Sequence, residues 1–252
     1  GEATKLVPLL AQEAKRYRAV VRLGRATTTL DREGDPTGHA PLPALDDARI
    51  EACRQRFVGD IQQVPPMYSA VKHRGRRMYE LAREGFTVER KPRTVRIQRL
   101  ELMRLDRERL ELDVTCSSGT YIRTLAADLA SCLGTLGYLD ELVRTSCGGW
   151  ALDQADKLDA LVAAGRDTLP EFVIPLEQVL ASRERVDVGD GTARRLTQGQ
   201  HLTGTELAAL GIQTSDQSRV VWFRAPGGSP LVLTRIERDE RSGTTRMRIL
   251  RV

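Results

Sequence analysis

Tyr121 and Arg123 are the residues of this sequence best placed to do chemistry, because they lie where one hydrophobic period gives way to another. Ahead of them, apolar residues alternate with polar ones as in a strand with one buried face: Leu110, Leu112, Val114 and Cys116. After them, apolar residues recur at the three-and-four spacing of an amphipathic helix that ends near Gly134. A strand-to-helix junction presents side chains and free backbone N–H groups to a ligand.

Arg123 raises an electrostatic question. A cation in the first turn of a helix faces the positive end of the helix dipole, at a cost of about 0.3–1 kcal/mol. No acidic residue lies three or four positions away in the sequence. Two interpretations follow: Arg123 is a surface residue lying along apolar side chains, or it pairs with a carboxylate or phosphate from elsewhere.

The charge of the chain is concentrated in one region. The net charge is +5, yet residues 71–99 hold ten Lys or Arg against three Glu. Such an excess favours binding to a polyanion, usually nucleic acid, although a solvated basic face is the alternative. Binding to membranes or DNA is the weaker hypothesis, because Gly, Tyr and Pro interrupt the cations and no amphipathic stripe forms.

The remaining composition excludes several classes of site. The four cysteines are scattered without a CxxC motif, which is typical of reduced thiols in a cytoplasmic protein, and the three histidines are equally dispersed, so no metal site is predicted. We find neither a signal peptide nor an apolar run of transmembrane length.

Hydrophobic period and turn residues divide the chain into predicted elements. We predict short helices at 4–14 and 138–144, strands at 15–24, 94–105 and 109–116, a helix capped by Asp46, and a helix at 78–83. Residues 152–180 read as a broken helical connector. Short strands and loops in the last 70 or so residues predict a small β-barrel as a second domain.

Residues 60–93 are predicted to form a basic arm. The pair Pro65-Pro66 prevents regular structure, and a Gly-punctuated basic turn follows. The arm carries Tyr68 and Tyr79 among its cations, which suits a mobile element that closes on RNA, with rings for stacking and cations for phosphates. Plain packing of either tyrosine is the alternative.

Four motifs occur in order along the chain: GEATKL, KRYRAVVRLG, GDIQQVPPMYSAVKHRGRRMYELAREG and CSSGTYIRTLAADL. Together they resemble the TruB family of bacterial tRNA pseudouridine synthases. The resemblance implies an α+β fold with a mixed, mostly antiparallel central sheet, flanking helices and a small C-terminal PUA-like β-barrel. The implied domains are a pseudouridine synthase domain at 1–180, lacking its N-terminal part, and a PUA-like RNA-binding domain at 181–252.

The activity implied by this resemblance is isomerisation of uridine 55 in the tRNA T loop to pseudouridine, without a cofactor, by a cytoplasmic monomer that binds neither membrane nor DNA. Tyr17 would stack on the flipped base, Tyr121 would line the pocket, Leu142 would form an apolar wall, and Arg123 would pair with the catalytic Asp. Asp31 matches an acidic position near the substrate. The arm residues expected to bind RNA are Tyr68, Lys72, His73, Arg74, Arg76 and Arg77.

One departure from the family is important. The catalytic Asp of the family belongs to a GTLDP-like motif ahead of the GEATKL segment, and the sequence given contains no such motif. We therefore expect this chain alone to be inactive, and we expect Arg123 to hold a carboxylate from outside it. The alternative hypothesis is a non-catalytic protein that binds or folds tRNA.

Overall fold

The computed structural model describes residues 2–212, 218–225, 227–228, 231–238 and 245–251. The chain divides into two compact units. The first unit comprises Leu6–Ala155, and the second comprises Gly1–Lys5 and Asp156–Val252. The predicted domain boundary at residue 180 stays a prediction.

The first unit is built on one sheet with helices. Its helices are α1 (Val7–Leu10), α2 (Asp47–Gln55), α3 (Met78–Arg83) and α4 (Ile122–Cys132), with a 3-10 turn at Leu152–Gln154. Its strands are β1 (Lys15–Leu23), β2 (Arg25–Thr27), β3 (Pro36–His39), β4 (Gly59–Gln63), β5 (Lys72–His73), β6 (Arg76–Arg77), β7 (Arg93–Arg104), β8 (Arg109–Cys116), β9 (Gly137–Cys147) and β10 (Trp150–Ala151).

Six of these strands form the central sheet in the order β10-β9-β1-β8-β7-β4, and every neighbouring pair is antiparallel. The predicted hairpin of β7 and β8 is confirmed, with residues 105–108 as its connection. One face of the sheet packs against α2 and α4. The core there includes Ala19, Val21, Leu110, Leu112, Val114, Ile50, Cys53, Leu125 and Leu129. The alternating pattern of β8 thus buries the predicted face.

The predicted helix at 138–144 is wrong, because this segment lies inside β9. Val21 pairs with Leu139 and Val20 pairs with Glu141, so Asp140 is an extra residue in a β-bulge. The bulge places Leu139 and Leu142 on the same face of the sheet although they are three positions apart. That spacing imitates a helix, whereas pairing along the whole of β1 fixes a strand.

The N-terminal prediction is also partly wrong. In place of one helix over 4–14, a 3-10 turn spans Glu2–Leu6 and α1 ends at Leu10. Lys15 follows soon afterwards and pairs with Cys116 and Cys147 on either side, so the chain must become extended before it enters the sheet.

The second unit has its own core and sheet. Its helices are α5 (Leu158–Thr168), α6 (Leu176–Val179), α7 (Asp190–Thr197) and α8 (Gly204–Ala209), with a 3-10 turn at Leu169–Phe172. The connector predicted at 152–180 is broken as expected, because Gly165 interrupts α5 with a φ of 72°. The strands β11 (Glu184–Asp187), β12 (Arg219–Arg224), β13 (Leu231–Arg238) and β14 (Thr245–Arg251) form one sheet in chain order, with β11 and β12 parallel.

The core of this sheet includes Val188, Leu196, Leu207, Ile212, Val221, Phe223, Val232, Ile236 and Met247. The predicted strands are therefore present. Closure into a PUA-like barrel remains a prediction. The turn residues at 226–230 predict a loop, but residues 226, 229 and 230 lie outside the described part of the chain.

Candidate active site

Arg123 lies in the first turn of α4 with its side chain only 24% exposed, and three groups accept hydrogen bonds from it. Nη1 donates to Asp31 Oδ2 at 2.9 Å and to the Thr29 carbonyl at 3.1 Å, and Nη2 donates to the Tyr68 carbonyl at 2.6 Å. The carboxylate of Asp31 offsets the unfavourable helix-dipole contact. The prediction that an anion from elsewhere pairs with Arg123 is confirmed, but the partner observed here lies within the chain and not outside it.

Asp31 is held in place by a tight turn between β2 and β3. Its Oδ1 accepts hydrogen bonds from Thr29 Oγ1 at 2.5 Å and from the Glu33 N–H at 3.2 Å. Its backbone bridges to Leu139 of β9, and the preceding Leu30 has a left-handed φ of 63°. Because a non-glycine residue adopts that conformation at a cost, the turn is a strained element fixed by its surroundings.

Tyr17 lies in the middle of the sheet, on the face that packs against α4. It is directly opposite Val114 of β8 and Arg144 of β9, and its ring is partly buried against the core. Burial raises the pKa of the Tyr17 hydroxyl, whereas the positive charge of the nearby Arg144 acts in the opposite direction.

Leu142 shares this face of the sheet, since it pairs with the buried Ala19. Its side chain is nevertheless 46% exposed. The bulge at Asp140 lets Leu142 share this side with Leu139 despite the spacing of three positions between them. Tyr17 and Leu142 thus present a ring and an apolar side chain on one face, as a pocket for a flat base requires.

Tyr121 is the N-cap residue of α4, and its own side chain makes no capping hydrogen bond. The amide of Gln63 holds its backbone instead: Oε1 accepts from the Tyr121 N–H at 3.0 Å, and Nε2 donates to the Tyr121 carbonyl at 3.3 Å. Sequence reasoning missed Gln63 and Arg144. Gln63 could have been found from its spacing: it lies two residues after Ile61 in the sequence, so in a strand both side chains face the core.

The arm forms a small β-hairpin. Strands β5 and β6 are joined by Arg74 and Gly75, whose φ angles are 49° and 87°, so both residues at the turn are left-handed. The predicted Gly-punctuated basic turn is therefore confirmed, and its cations Lys72, Arg74, Arg76 and Arg77 are exposed while His73 is half-buried. Arg76 also pairs with Glu84.

A cavity of about 290 Å³ lies beside this hairpin. It is lined by Pro65, Val71, Lys72, His73, Met78, Glu89, Arg90, Lys91 and Arg93. Arg90 Nη1 donates to the Pro65 carbonyl at 3.3 Å, which ties the far end of the arm to its base. Five of the nine lining residues are Lys, Arg or His, so the cavity suits an anion such as a phosphate.

The predicted residues therefore fall into three groups. Arg123, Asp31 and the Tyr68 carbonyl are in direct contact. Tyr17 and Leu142 share the α4 face of the sheet. The hairpin cations form the third group, and among the described contacts none joins them to Arg123. Tyr79 is packed beneath Arg83, whose guanidinium lies 5.5 Å from the ring centroid.

Neither a metal site nor a membrane-spanning helix is found in the residues that the structure describes. No group of three or more His, Cys, Asp or Glu is arranged to hold a metal ion. Within the same ranges, none of the helices has the length and apolar composition needed to cross a membrane.

Comparison with known proteins places this chain in a family. Residues 1–122 match the family described as "TruB family pseudouridylate synthase (N terminal domain)". The tRNA pseudouridine synthase B of Ralstonia nicotianae is 40% identical over 236 residues, which cover 92% of this chain and 74% of that protein. The chain belongs to the TruB family.

Other relatives agree. The tRNA pseudouridine synthase B of Burkholderia mallei is 44% identical over 209 residues, covering 83% of this chain and 69% of that protein. The protein of the same name from Psychrobacter cryohalolentis is 38% identical over 202 residues, and the match spans 56% of its length.

Solved structures share the fold at low sequence identity. A Cbf5-Nop10-Gar1 complex matches with a TM-score of 0.64 at 18% identity, over 99% of this chain and 70% of the matched chain. The structure of an H/ACA RNP bound to a substrate RNA containing 2′-deoxyuridine matches with a TM-score of 0.65 at 17% identity. The match covers 100% of this chain and 68% of the matched chain. The antiparallel sheet with its flanking helices is thus a fold shared with these structures, and not the mixed sheet that was predicted.

Proposed function

We propose that this TruB-family protein converts uridine 55 in the T loop of tRNA to pseudouridine. The observation that carries the proposal is the contact of Arg123 with Asp31 and the Tyr68 carbonyl, beside a sheet face that presents Tyr17 and Leu142. The names of the relatives support tRNA as the substrate. The position within tRNA follows from the motif resemblance alone.

The reaction is an isomerisation whose atoms balance without a cofactor. The C1′–N1 bond of the uridine breaks, the detached uracil turns, and C5 bonds to C1′. The proton on C5 is lost to solvent, and N1 takes a proton. The uridine must first leave the loop stack, which costs a few kcal/mol and is offset by stacking on Tyr17 and apolar contact with Leu142.

Arg123 has the capacity to hold a second carboxylate. A guanidinium has more N–H donors than the three hydrogen bonds use. We propose that the remaining donors orient the catalytic Asp of the GTLDP-like motif, while Asp31 holds the guanidinium from the other side. Asp31 is then a positioning residue, because its own oxygens are occupied by Thr29, Glu33 and Arg123.

The arm and the second unit supply the affinity for tRNA in this proposal. Lys72, Arg74, Arg76 and Arg77 are exposed on the hairpin and would bind phosphates, with His73 and Tyr68 beside them. Residues 181–252 would act as a PUA-like RNA-binding domain. We further propose a cytoplasmic monomer that acts on tRNA and not on DNA or membranes.

The test is tritium release from tRNA labelled at uridine C5, using protein produced from the complete gene. We expect release from wild-type protein and a loss of at least about a hundredfold in Arg123→Ala, since an interaction made with the catalytic group is removed. Arg109→Ala is the matched control, because Arg109 pairs with Asp106 at the opposite end of β8. Unaltered release in Arg123→Ala would refute this role of Arg123.

Two further measurements test the position of the modified uridine and the alternative function. A tRNA in which uridine 55 is replaced by cytidine should release no tritium above background, and full release would contradict the choice of position. The second candidate function, a non-catalytic tRNA-binding protein, is favoured by the exposed cations of the arm. Tight, salt-dependent binding of tRNA without any tritium release would establish it in place of the enzyme.

A further inference from the structure

The start of α4 lacks the usual side-chain cap. Ser, Thr, Asp or Asn most often fills the N-cap position, whereas Tyr121 fills it here with φ −98° and ψ 105° and without a capping side chain. The first N–H groups of a helix have no partner within the helix. The carboxamide of Gln63 takes over part of this role from 58 positions away in the sequence, by binding both the N–H and the carbonyl of Tyr121.

The burial of Gln63 gives this contact its importance. Gln63 is 1% exposed, and a buried amide is stable only when its donor and its acceptor are both paired. Both ends of the amide are used on a single residue, at 3.0 and 3.3 Å. Gln63 is therefore a fixed support and is not accessible to RNA.

Gln63 also stands at the base of the arm. It is the last residue of β4 and pairs with Arg93 of β7, so the sheet fixes its backbone. Five residues later the Tyr68 carbonyl accepts a hydrogen bond from Arg123. Two separate contacts thus join the start of the arm to the start of α4, one through Tyr121 and one through Arg123.

We propose that Gln63 is a positioning residue of the active site. Its amide fixes Tyr121 and the first turn of α4, and thereby sets the orientation of Tyr121 and Arg123 toward the flipped uridine. This inference rests on the proposed function, because positioning matters only if those two residues face a substrate. Gln63 itself touches no substrate.

Hydrogen exchange tests the contact independently of activity. In protein produced from the complete gene, Gln63→Ala should speed amide exchange in peptides spanning residues 119–125 by at least about tenfold, since local opening becomes easier. The matched control is Gln62→Ala, because Gln62 is the exposed neighbour that bonds Thr94. Equal exchange in Gln63→Ala and wild type would overturn the proposal.

Kinetics test the positioning role. A protonated Glu at position 63 can accept from the Tyr121 N–H and donate to its carbonyl, whereas a carboxylate cannot donate. In Gln63→Glu we therefore expect kcat relative to wild type to rise as the pH falls from about 8.5 to about 6, with KM for tRNA unchanged within about twofold, since burial raises the pKa of a carboxyl group. Gln63→Met, of similar length and without the amide, should lose at least about tenfold in kcat at every pH.

The outcomes separate the two proposals. Identical pH profiles for wild type and Gln63→Glu, or a loss confined to KM, would overturn the positioning role while leaving the proposed function intact. If wild-type protein releases no tritium from labelled tRNA, the proposed function fails, and the exchange experiment alone then decides whether Gln63 holds Tyr121. If Gln63→Glu does not fold, the kcat and KM of Gln63→Met decide.

Discussion

The side chains of Arg123 and Asp31 meet at 2.9 Å although they are 92 positions apart in the sequence. Arg123 lies in the first turn of α4, and Asp31 belongs to a turn that is bonded to β9 through Leu139. The same guanidinium reaches the Tyr68 carbonyl in the arm. One side chain therefore links the helix, the strained turn and the arm.

This link should be measurable as a coupling energy. In a double-mutant cycle of Arg123→Ala and Asp31→Asn, we expect a coupling of about 1–2 kcal/mol in the free energy of unfolding, because the pair is charged and only 24% exposed. Urea denaturation of the four proteins measures it. The exposed pair Arg109–Asp106 is the control and should show a smaller coupling. Additive effects at Arg123 and Asp31 would contradict the prediction.

Tyr17 should titrate at an unusually high pH. Burial raises its pKa above the ordinary value, so its folded form holds the proton more tightly than the unfolded form does. The resulting stability is fully present below the ordinary pKa of about 10, and it is lost as the pH rises toward the raised value. A titration of tyrosinate absorbance should show a late-titrating group that is absent in Tyr17→Phe. Unchanged titration in that variant would refute the assignment.

Cys53 should resist alkylation in the folded protein. Burial, together with the neighbouring Cys132, raises the pKa of the Cys53 thiol to about 12, and the residue is only 3% exposed. At pH 8 the reactive thiolate is then on the order of a thousandfold rarer than for an ordinary cysteine. Mass spectrometry after iodoacetamide treatment, with and without guanidinium, measures this. Equal labelling of Cys53 in both conditions would disprove it, and Cys53→Ser identifies the peptide.

Gly119 should be sensitive to substitution for a purely conformational reason. Its φ is 83°, and a Cβ at this position would meet no atom within 4 Å. Gly119→Ala should therefore cost about 1 kcal/mol of stability from backbone strain alone. Gly149→Ala is the matched control, since Gly149 has equal space without a left-handed φ, and it should change stability little. A similar loss in both variants would show that strain at Gly119 is not the cause.

Local periodicity predicted much of the fold. The hairpin of β7 and β8, the helix at Met78–Arg83 and the cap of α2 by Asp46 all depend on residues that are near one another in the sequence. Elements of this kind can be predicted from the residues within a few positions in the sequence. One local signal was missed: Thr203 and Glu206 form a capping box that begins α8, and both residues are visible in the sequence.

The contacts that build the candidate site could not be predicted in this way. The partner of Arg123 depends on where the turn at Asp31 is anchored, and the role of Gln63 depends on its burial beside Tyr121. Both are set by tertiary packing between distant segments. The position of Arg123 in the first turn of a helix requires an anion nearby but does not specify which residue supplies it.

The extra residue in β9 changes which of its side chains share a face. Asp140 has no counterpart on β1, so Leu139 and Leu142 lie three positions apart and yet fall opposite Val21 and Ala19. Deletion of Asp140 would close the bulge and leave both leucines opposite these partners, now at the ordinary two-residue spacing of a strand. Relatives that are one residue shorter in this segment can therefore keep the proposed apolar wall in place.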